Sequence, residues 1–393
     1  REYSSAASDV YKRQDPSCVI NTPCRWVLVN KAAPGEKPIP KARLVVPGHQ
    51  DPQVGLYRTD APTANPTLIK IGLQIAASKD WKTTTFDVST AFLQGVKAPR
   101  EVYARAPLDG LPATASGRAL KPRQLFRLLK APYGLAEAPR LWYLKFREVL
   151  IAEGLTELKA FPAVFIKGDL AGDEMDVAEI VKKRVDLIVF LHVDDGLVLG
   201  EDEAVDDITK KLNNAFPVKW QPLEKGQKEP VKYLGVEISR EKDGSIVLSQ
   251  TKYGLSLKDK LQKVAFPRKR AGEVPTPAEI EFGRSMVACL AWAARCTMPS
   301  RTVEVAHLQE EMAKPTVHTI TKIIRLAEAM EKELEKKGKL RLSSKVHLTK
   351  PYVVTYSDAS HGVEGSYKGR AGSVTFLSNE LCATHEAAAG LVQ

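Results

Sequence analysis

Val185-Asp186-Leu187-Ile188-Val189-Phe190-Leu191-His192-Val193-Asp194-Asp195-Gly196-Leu197-Val198-Leu199-Gly200 sets two adjacent carboxylates between two apolar runs, with a glycine directly behind them. Apolar, β-branched runs of this length read as buried strands, and Asp195-Gly196 reads as the tight hairpin turn between them. On that reading alone the acids are turn residues. Asp194, however, stands where a strand packed on both faces ends, and a carboxylate without a partner is costly there. A divalent cation would relieve the cost. A third acid adds to this second reading. Thr83-Thr84-Thr85-Phe86-Asp87-Val88 is strand-like with Asp87 near its end, and Ser89 to Leu93 then turns toward a helix. Acids at two strand ends, far apart in sequence, can meet side by side in one sheet. Mg²⁺ takes carboxylate oxygens and keeps positions open for water and substrate phosphates. Two such ions about 4 Å apart can activate an attacking hydroxyl and stabilise a departing pyrophosphate. The residues point to metal-assisted phosphoryl or nucleotidyl transfer.

Charge agrees with a polyanionic partner. The chain has 393 residues, 58 Lys plus Arg against 47 Asp plus Glu, and a formal net charge of +11. That balance favours polyanionic partners and salt-sensitive binding, although a merely basic soluble protein has it too. Cys18, Cys24, Cys289, Cys296 and Cys382 are scattered, without the spacing of a zinc site or a disulfide framework. A reducing compartment is the default. No apolar stretch has membrane-spanning length, and the N-terminus lacks a signal-peptide core.

Residues 1–20 are polar, without periodicity, and are set aside as a leader. Strands and helices alternate from Trp26 to about Gly200, broken by a Pro/Gly/Ala-rich loop at 108–117. Leu141, Trp142, Leu144, Phe146 and Leu150 recur at helical spacing within Pro139–Glu153. Asp169–Val185 is a charged excursion, Glu201–Phe216 an amphipathic helix, and Val231–Ser249 two short strands. Lys258–Val274 is rich in Lys and Arg, Pro275 and Pro277 mark a linker, Ile280–Leu334 is mostly helical, and Tyr352–Leu377 returns to strands.

Several ordered blocks resemble the reverse transcriptase region of copia-type LTR retrotransposon polyproteins. Arg25-Trp26-Val27 with Lys41-Ala42-Arg43-Leu44-Val45 resembles the opening block. Phe86-Asp87-Val88 with Ala91-Phe92-Leu93-Gln94-Gly95, then Glu101-Val102-Tyr103, resembles "D-V-x-x-A-F-L-x-G" and "E-V-Y". Leu129-Lys130-Ala131, Tyr133-Gly134-Leu135, Ala138-Pro139-Arg140 and Trp142-Tyr143 resemble "L-x-K-A-L-Y-G-L-K-Q-A-P-R-x-W-Y". His192-Val193-Asp194-Asp195 stands at the "Y-V-D-D" box, and Tyr233 to Ile238 and Leu248 to Tyr253 match two later blocks. The likeness runs from about Arg25 to about Gly372.

The resemblance implies an α+β, right-hand polymerase fold of fingers, palm and thumb with a mixed palm sheet. A helical connection and a truncated ribonuclease H-like α/β segment follow. It divides the chain into a non-homologous or disordered leader (1–20), fingers and palm (21–200), palm end and thumb (201–275), connection (276–345) and partial ribonuclease H-like domain (346–393). It implies an RNA-directed DNA polymerase working by two-metal nucleotidyl transfer. Asp87 and Asp194 would hold two Mg²⁺ ions, with Mn²⁺ as a substitute, Asp195 as supporting acid and the Val88 carbonyl as a further ligand. Phe92, five residues after Asp87, stands where an aromatic ring excludes a 2′-hydroxyl, though a core aromatic reads the same. Lys41 and Arg43 would grip the triphosphate, Arg as a fork and Lys as a point charge; surface charges are the plainer reading. Beside Tyr133, Gly134 would let the template base pair approach the backbone.

Departures from the family pattern bear on activity. His192 replaces the primer-proximal tyrosine with a smaller ring that can titrate near neutral pH. Ala136-Glu137 replaces Lys-Gln, which implies weaker attraction to phosphates. Met298-Pro299-Ser300 stands for the family's "R-P-D". Asp358 resembles the first metal-binding carboxylate of the ribonuclease H domain, but Glu386 follows it too soon for the family's acidic helix. A truncated domain without RNA cleavage is therefore expected. Implied partners are RNA template, DNA primer, RNA/DNA hybrid and dNTPs, with no membrane, beside integrase and capsid regions of a parent polyprotein. The implied place is the cytoplasm, in virus-like particles where the parent element is intact. The alternative is an inactive retroelement remnant that binds nucleic acid without polymerising. His192 and Ala136-Glu137 favour it, and the surviving aspartates oppose it.

Overall fold

The protein is described here from a computed structural model that covers residues 16–30, 37–113, 119–168, 184–262, 274–336, 338–346, 352–360 and 370–378, the last two stretches as backbone alone. In chain order the elements begin with β1 (Val19–Pro23), β2 (Arg25–Asn30), β3 (Pro40–Val45), α1 (Pro66–Lys79) and β4 (Lys82–Val88). Then come α2 (Ala91–Gln94), β5 (Val102–Arg105), β6 (Leu125–Leu128), α3 (Ala138–Ala152), β7 (Thr156–Glu157) and β8 (Val164–Gly168). Next are β9 (Val185–His192), β10 (Asp195–Gly200), α4 (Asp202–Ala215), β11 (Val218–Pro222), β12 (Val231–Tyr233), β13 (Val236–Arg240) and β14 (Ile246–Ser249). The remainder is α5 (Thr251–Gln262), α6 (Pro277–Cys296), α7 (Thr302–Glu311), α8 (Val317–Lys336), β15 (Lys339–Leu342), β16 (Tyr352–Ser360) and β17 (Arg370–Ser378). This is the mixed α/β content that the sequence implies.

Packing divides the chain into one unit of Arg1–Pro66 with Phe86–Trp220 and another of Thr67–Thr85 with Gln221–Gln393. The site-bearing sheet has the order β11-β4-β10-β9-β8-β7. β9 is buried continuously from Leu187 to Leu191, as a strand covered on both faces is, and it pairs antiparallel with β8 and β10. α3 begins with Pro139 in its first turn, where the missing N–H costs nothing. It buries Leu141, Trp142, Phe146 and Leu150, one stripe at helical spacing. In that core Phe146 stacks on Phe86 at 5.7 Å and on Phe216 at 6.0 Å between ring centroids. Full burial of side chains this large contributes about 1.5–3 kcal/mol each. A separate hairpin, β2–β3, pairs Val27 with Arg43 and Val29 with Lys41.

In the second unit, β12-β13-β14-β15 form an antiparallel sheet. Helices α5, α6 and α8 share a core that includes Leu257, Leu290, Ile323 and Met330. β16 and β17 pair with Asp358 opposite Gly372. No helix among the described residues is long and apolar enough to cross a membrane.

Several expectations need correction. The leader expected over 1–20 ends earlier, because Val19 and Ile20 form β1, are buried, and pair with Tyr103 and Ala104. Val231–Ser249 holds three strands rather than two: Leu234 and Gly235, both at positive φ, turn β12 back onto β13. Pro277 opens a helix instead of a linker. Thr276 caps α6 by accepting from the Glu279 N–H while the Glu279 carboxylate accepts from the Thr276 N–H, a reciprocal pair that satisfies two orphan donors. Most of the charged excursion Asp169–Val185, the stretch 263–273 and Glu386 lie outside the described residues.

Candidate active site

β4 is buried from Thr83 to Phe86, turns Asp87 outward, and buries Val88 again. The alternation follows from the pleat, which sends neighbouring side chains to opposite faces. The Val88 N–H donates to the Asp194 carbonyl at 3.1 Å, so β4 ends beside the turn between β9 and β10. That turn is not at Asp195-Gly196, as the sequence implies. His192 pairs with Asp195, leaving Val193 and Asp194 as the two turn residues. Val193 alone of the pair has positive φ, at 59°. This is the pattern of a type II′ turn, whose first central position usually holds glycine.

Gly196 has a different task. A Cβ there would lie 2.0 Å from Cζ of Phe86, so its lack of a side chain leaves room for the tip of the β4 aromatic ring beside β10. The turn is also held from below. Nε1–H of the fully buried Trp142 donates to the Val193 carbonyl at 2.6 Å.

The three acids act on one another. Burial, then the negative charges of Asp194 and Asp87, push the Asp195 carboxyl up from 3.8 to about 6. Tyr133 joins the group: burial foremost, then the charge of Asp194, raises its phenol pKa, with Asp87 adding to the rise. Arg43 opposes that rise, and its guanidinium carbon lies 5.5 Å from the centre of the Tyr133 ring. Phe92 meets the same ring from another side, 4.8 Å between centroids. The structure thus brings Asp87, Asp194, Asp195, Tyr133, Arg43 and Phe92 to one place. Lys41 shares Arg43's face of β3, two residues away. Among the described residues no three His, Cys, Asp or Glu side chains are grouped so that together they could hold a metal ion. The donor set still fits a hard cation, since Mg²⁺ is usually held by one or two carboxylates with the rest from water and substrate.

His192 lies next to the turn, half-buried, and burial lowers its pKa although Asp194 opposes the change. Its Nδ1 is buried without a hydrogen-bond partner. Burial therefore favours the neutral imidazole.

One further expectation changes, and a second residue gains a task. Gly134, exposed and at φ 101°, also serves the fold: a Cβ there would stand 1.9 Å from the Val46 carbonyl oxygen, and the Tyr133 carbonyl accepts from the Val46 N–H. The glycine lets two backbone segments cross, a role the residue type alone does not distinguish from ligand approach. Glu137 does not confront phosphates. Its side chain is 5% exposed and ion-paired with Arg100, which also binds the equally buried Asp51. Arg100 further donates to Gln53 and covers Tyr57 at 5.1 Å. The sequence does not reveal Arg100 or the hydrogen bond made by Trp142, because their partners lie at separations that no local pattern records.

Residues 9–267 match the family described as reverse transcriptase (RNA-dependent DNA polymerase). The chain is 31% identical over 246 residues to the retrovirus-related Pol polyprotein from transposon RE2 of Arabidopsis thaliana, covering 62% of this chain and 15% of that one. It is 30% identical over 257 residues to the Pol polyprotein from transposon TNT 1-94 of Nicotiana tabacum, covering 65% and 17%. The matched stretch thus spans only 15–17% of these relatives. The family match begins inside the expected leader and stops before the expected connection. The chain belongs to the reverse transcriptase (RNA-dependent DNA polymerase) family and carries the reverse transcriptase region of a copia-type retrotransposon Pol polyprotein.

Proposed function

We propose that the chain is an RNA-directed DNA polymerase, extending a DNA primer on an RNA template by attack of the primer 3′-hydroxyl on the α-phosphate of a dNTP. The observation that carries this reading is the meeting of Asp87 with Asp194 and Asp195 across the β4–β10 junction. Asp87 and Asp194, with the Val88 carbonyl, would hold two Mg²⁺ ions, and Asp195 supports them. Mg²⁺ held there would supply Lewis acidity toward the attacking hydroxyl and positive charge toward the leaving pyrophosphate. The chain's own residues do the rest. Tyr133 and Phe92 form an aromatic wall beside the acids, where a deoxyribose fits and a 2′-hydroxyl clashes. Arg43 and Lys41 supply positive charge for the triphosphate, and His192 stands on the primer side as a neutral ring.

In the same reading the β2–β3 hairpin belongs to the fingers, the six-stranded sheet to the palm and the later helices to thumb and connection. Asp358 marks a ribonuclease H-like segment, and the cytoplasm is the place of action.

Primer extension on poly(rA)/oligo(dT) with Mg²⁺ and then Mn²⁺ tests the reading, alongside Asp194→Asn. Extension by the parent protein, with hybrid affinity kept and extension lost in the variant, is the expected result. Bound hybrid with no extension by either protein would instead mark a remnant that kept the fold without the chemistry.

A further inference from the structure

We infer that Trp142 is a positioning residue for the carboxylate turn: its indole N–H fixes the strained peptide that aims Asp194. The inference rests on reading Asp87 and Asp194 as metal ligands, and it adds a device that this reading does not contain.

Val193 carries positive φ at 59°. For a β-branched residue that conformation is unfavourable by about 1–3 kcal/mol and persists only where the surroundings impose it. Two donors impose it here. Trp142 Nε1–H binds the Val193 carbonyl at 2.6 Å, and the Val88 N–H binds the next carbonyl, that of Asp194, at 3.1 Å. Relaxing Val193 to negative φ would rotate its carbonyl away from the indole and carry the Asp194 peptide with it. The indole is itself held. It is fully buried, with ring centroids 5.5 Å from Phe146 and 5.0 Å from Phe216. Because an indole can only donate, a buried one needs an acceptor. One element thereby supplies both the core of the sheet and the donor that sets its catalytic edge.

A double-mutant cycle tests this. Trp142→Phe keeps a ring in the core and removes the donor. Val193→Gly removes the strain, because glycine takes positive φ readily. Each of the four proteins is titrated with Mn²⁺ alone, following free Mn²⁺ by electron paramagnetic resonance, and is assayed for kcat on poly(rA)/oligo(dT); melting temperatures are recorded. With valine at 193, Trp142→Phe is expected to weaken Mn²⁺ binding and lower kcat by about fivefold or more, the scale of one lost hydrogen bond plus displacement. With glycine at 193 the same change is expected to cost about twofold or less. Equal losses in both backgrounds would show that Trp142 acts by packing alone and overturn the inference, as would no loss in the valine background. Failure of the polymerase reading looks different. The parent protein would then extend no primer, and any Mn²⁺ it bound would survive Asp87→Asn; the positioning role would fall with it.

Discussion

Asp51 and Glu137 close around the guanidinium of Arg100, all three side chains at 4–5% exposure. Asp87, Asp194 and Asp195 gather in the same unit with one another's negative charge as neighbours, and among the described residues none of them forms an ion pair. Both groups draw acids from distant parts of the chain. The difference lies in the countercharge. An acid that finds its cation within the fold is closed to solvent and helps hold three segments together. Acids gathered without one keep an electrostatic demand that only something from outside can meet. Fold and chemistry use the same residue type and are told apart by the partner.

Removing one carboxylate from each group should therefore do different things. Asp87→Asn is expected to reduce primer extension by about a thousandfold, or ~4 kcal/mol of transition-state stabilisation. Its melting temperature should stay level or rise, because one repelling charge is gone. Measurable extension within tenfold of the parent protein would break the comparison at its catalytic end. Arg100→Met attacks the other end. Two buried carboxylates lose their cation, and urea denaturation should report a loss of about 3–5 kcal/mol. Replacing Asp51 and Glu137 by Leu and Met in the same protein should recover much of it, since an apolar cluster of similar volume needs no countercharge.

How far each group could be read beforehand follows from how it is built. The carboxylate turn lies between two continuous apolar runs, so their composition and length expose it, and Asp87 follows from a further strand-like run. Even there the turn was placed two residues late: Asp-Gly is the commoner hairpin dipeptide, but Gly196 is spent on Phe86, and the turn falls on Val193. The Arg100 cluster joins positions 37 and 49 residues apart across irregular segments, which leaves no periodicity to detect. The sequence accordingly sets the Glu137 carboxylate near phosphates, whereas it pairs with Arg100. The capped start of α6 at Thr276 was legible in principle, as Thr-Pro-Ala-Glu before an apolar run, but the neighbouring prolines suggested a linker.

A smaller effect separates the groups by pH. The Asp195 carboxyl, raised to about 6 from the usual 3.8, favours its neutral form in the fold. Its contribution to stability is full below the unfolded value near 3.8 and is lost as pH rises through about 6. Metal-free Asp195→Asn should thus be more stable than the parent at pH 8, by about 1–2 kcal/mol allowing for partial solvent screening. The gap should close as pH falls from 6 toward 4. Adding Mg²⁺ at pH 8 should narrow it from the other side, by stabilising the parent protein more than the variant. A gap that is constant with pH would mean that the acids do not feel one another.

The finest test lies in the adjacent pair Ala136-Glu137, where both positions depart from the family's Lys-Gln. Read from sequence, both departures weaken the hold on phosphates, so restoring either residue should lower the KM for dNTP. In the structure only Ala136 is exposed, whereas Glu137 turns inward to Arg100. Glu137→Gln should then leave KM and kcat within about twofold. It removes one of the two carboxylates that share a single guanidinium, and Asp51 still holds Arg100. Ala136→Lys places a new cation in solvent within the same loop, and its effect on KM, about two- to fivefold, should shrink as salt is raised through a Debye length of about 8 Å. A fall in KM for Glu137→Gln of the same size and salt dependence would return that carboxylate to the ligand side. The division between closed and open acids would then be drawn in the wrong place.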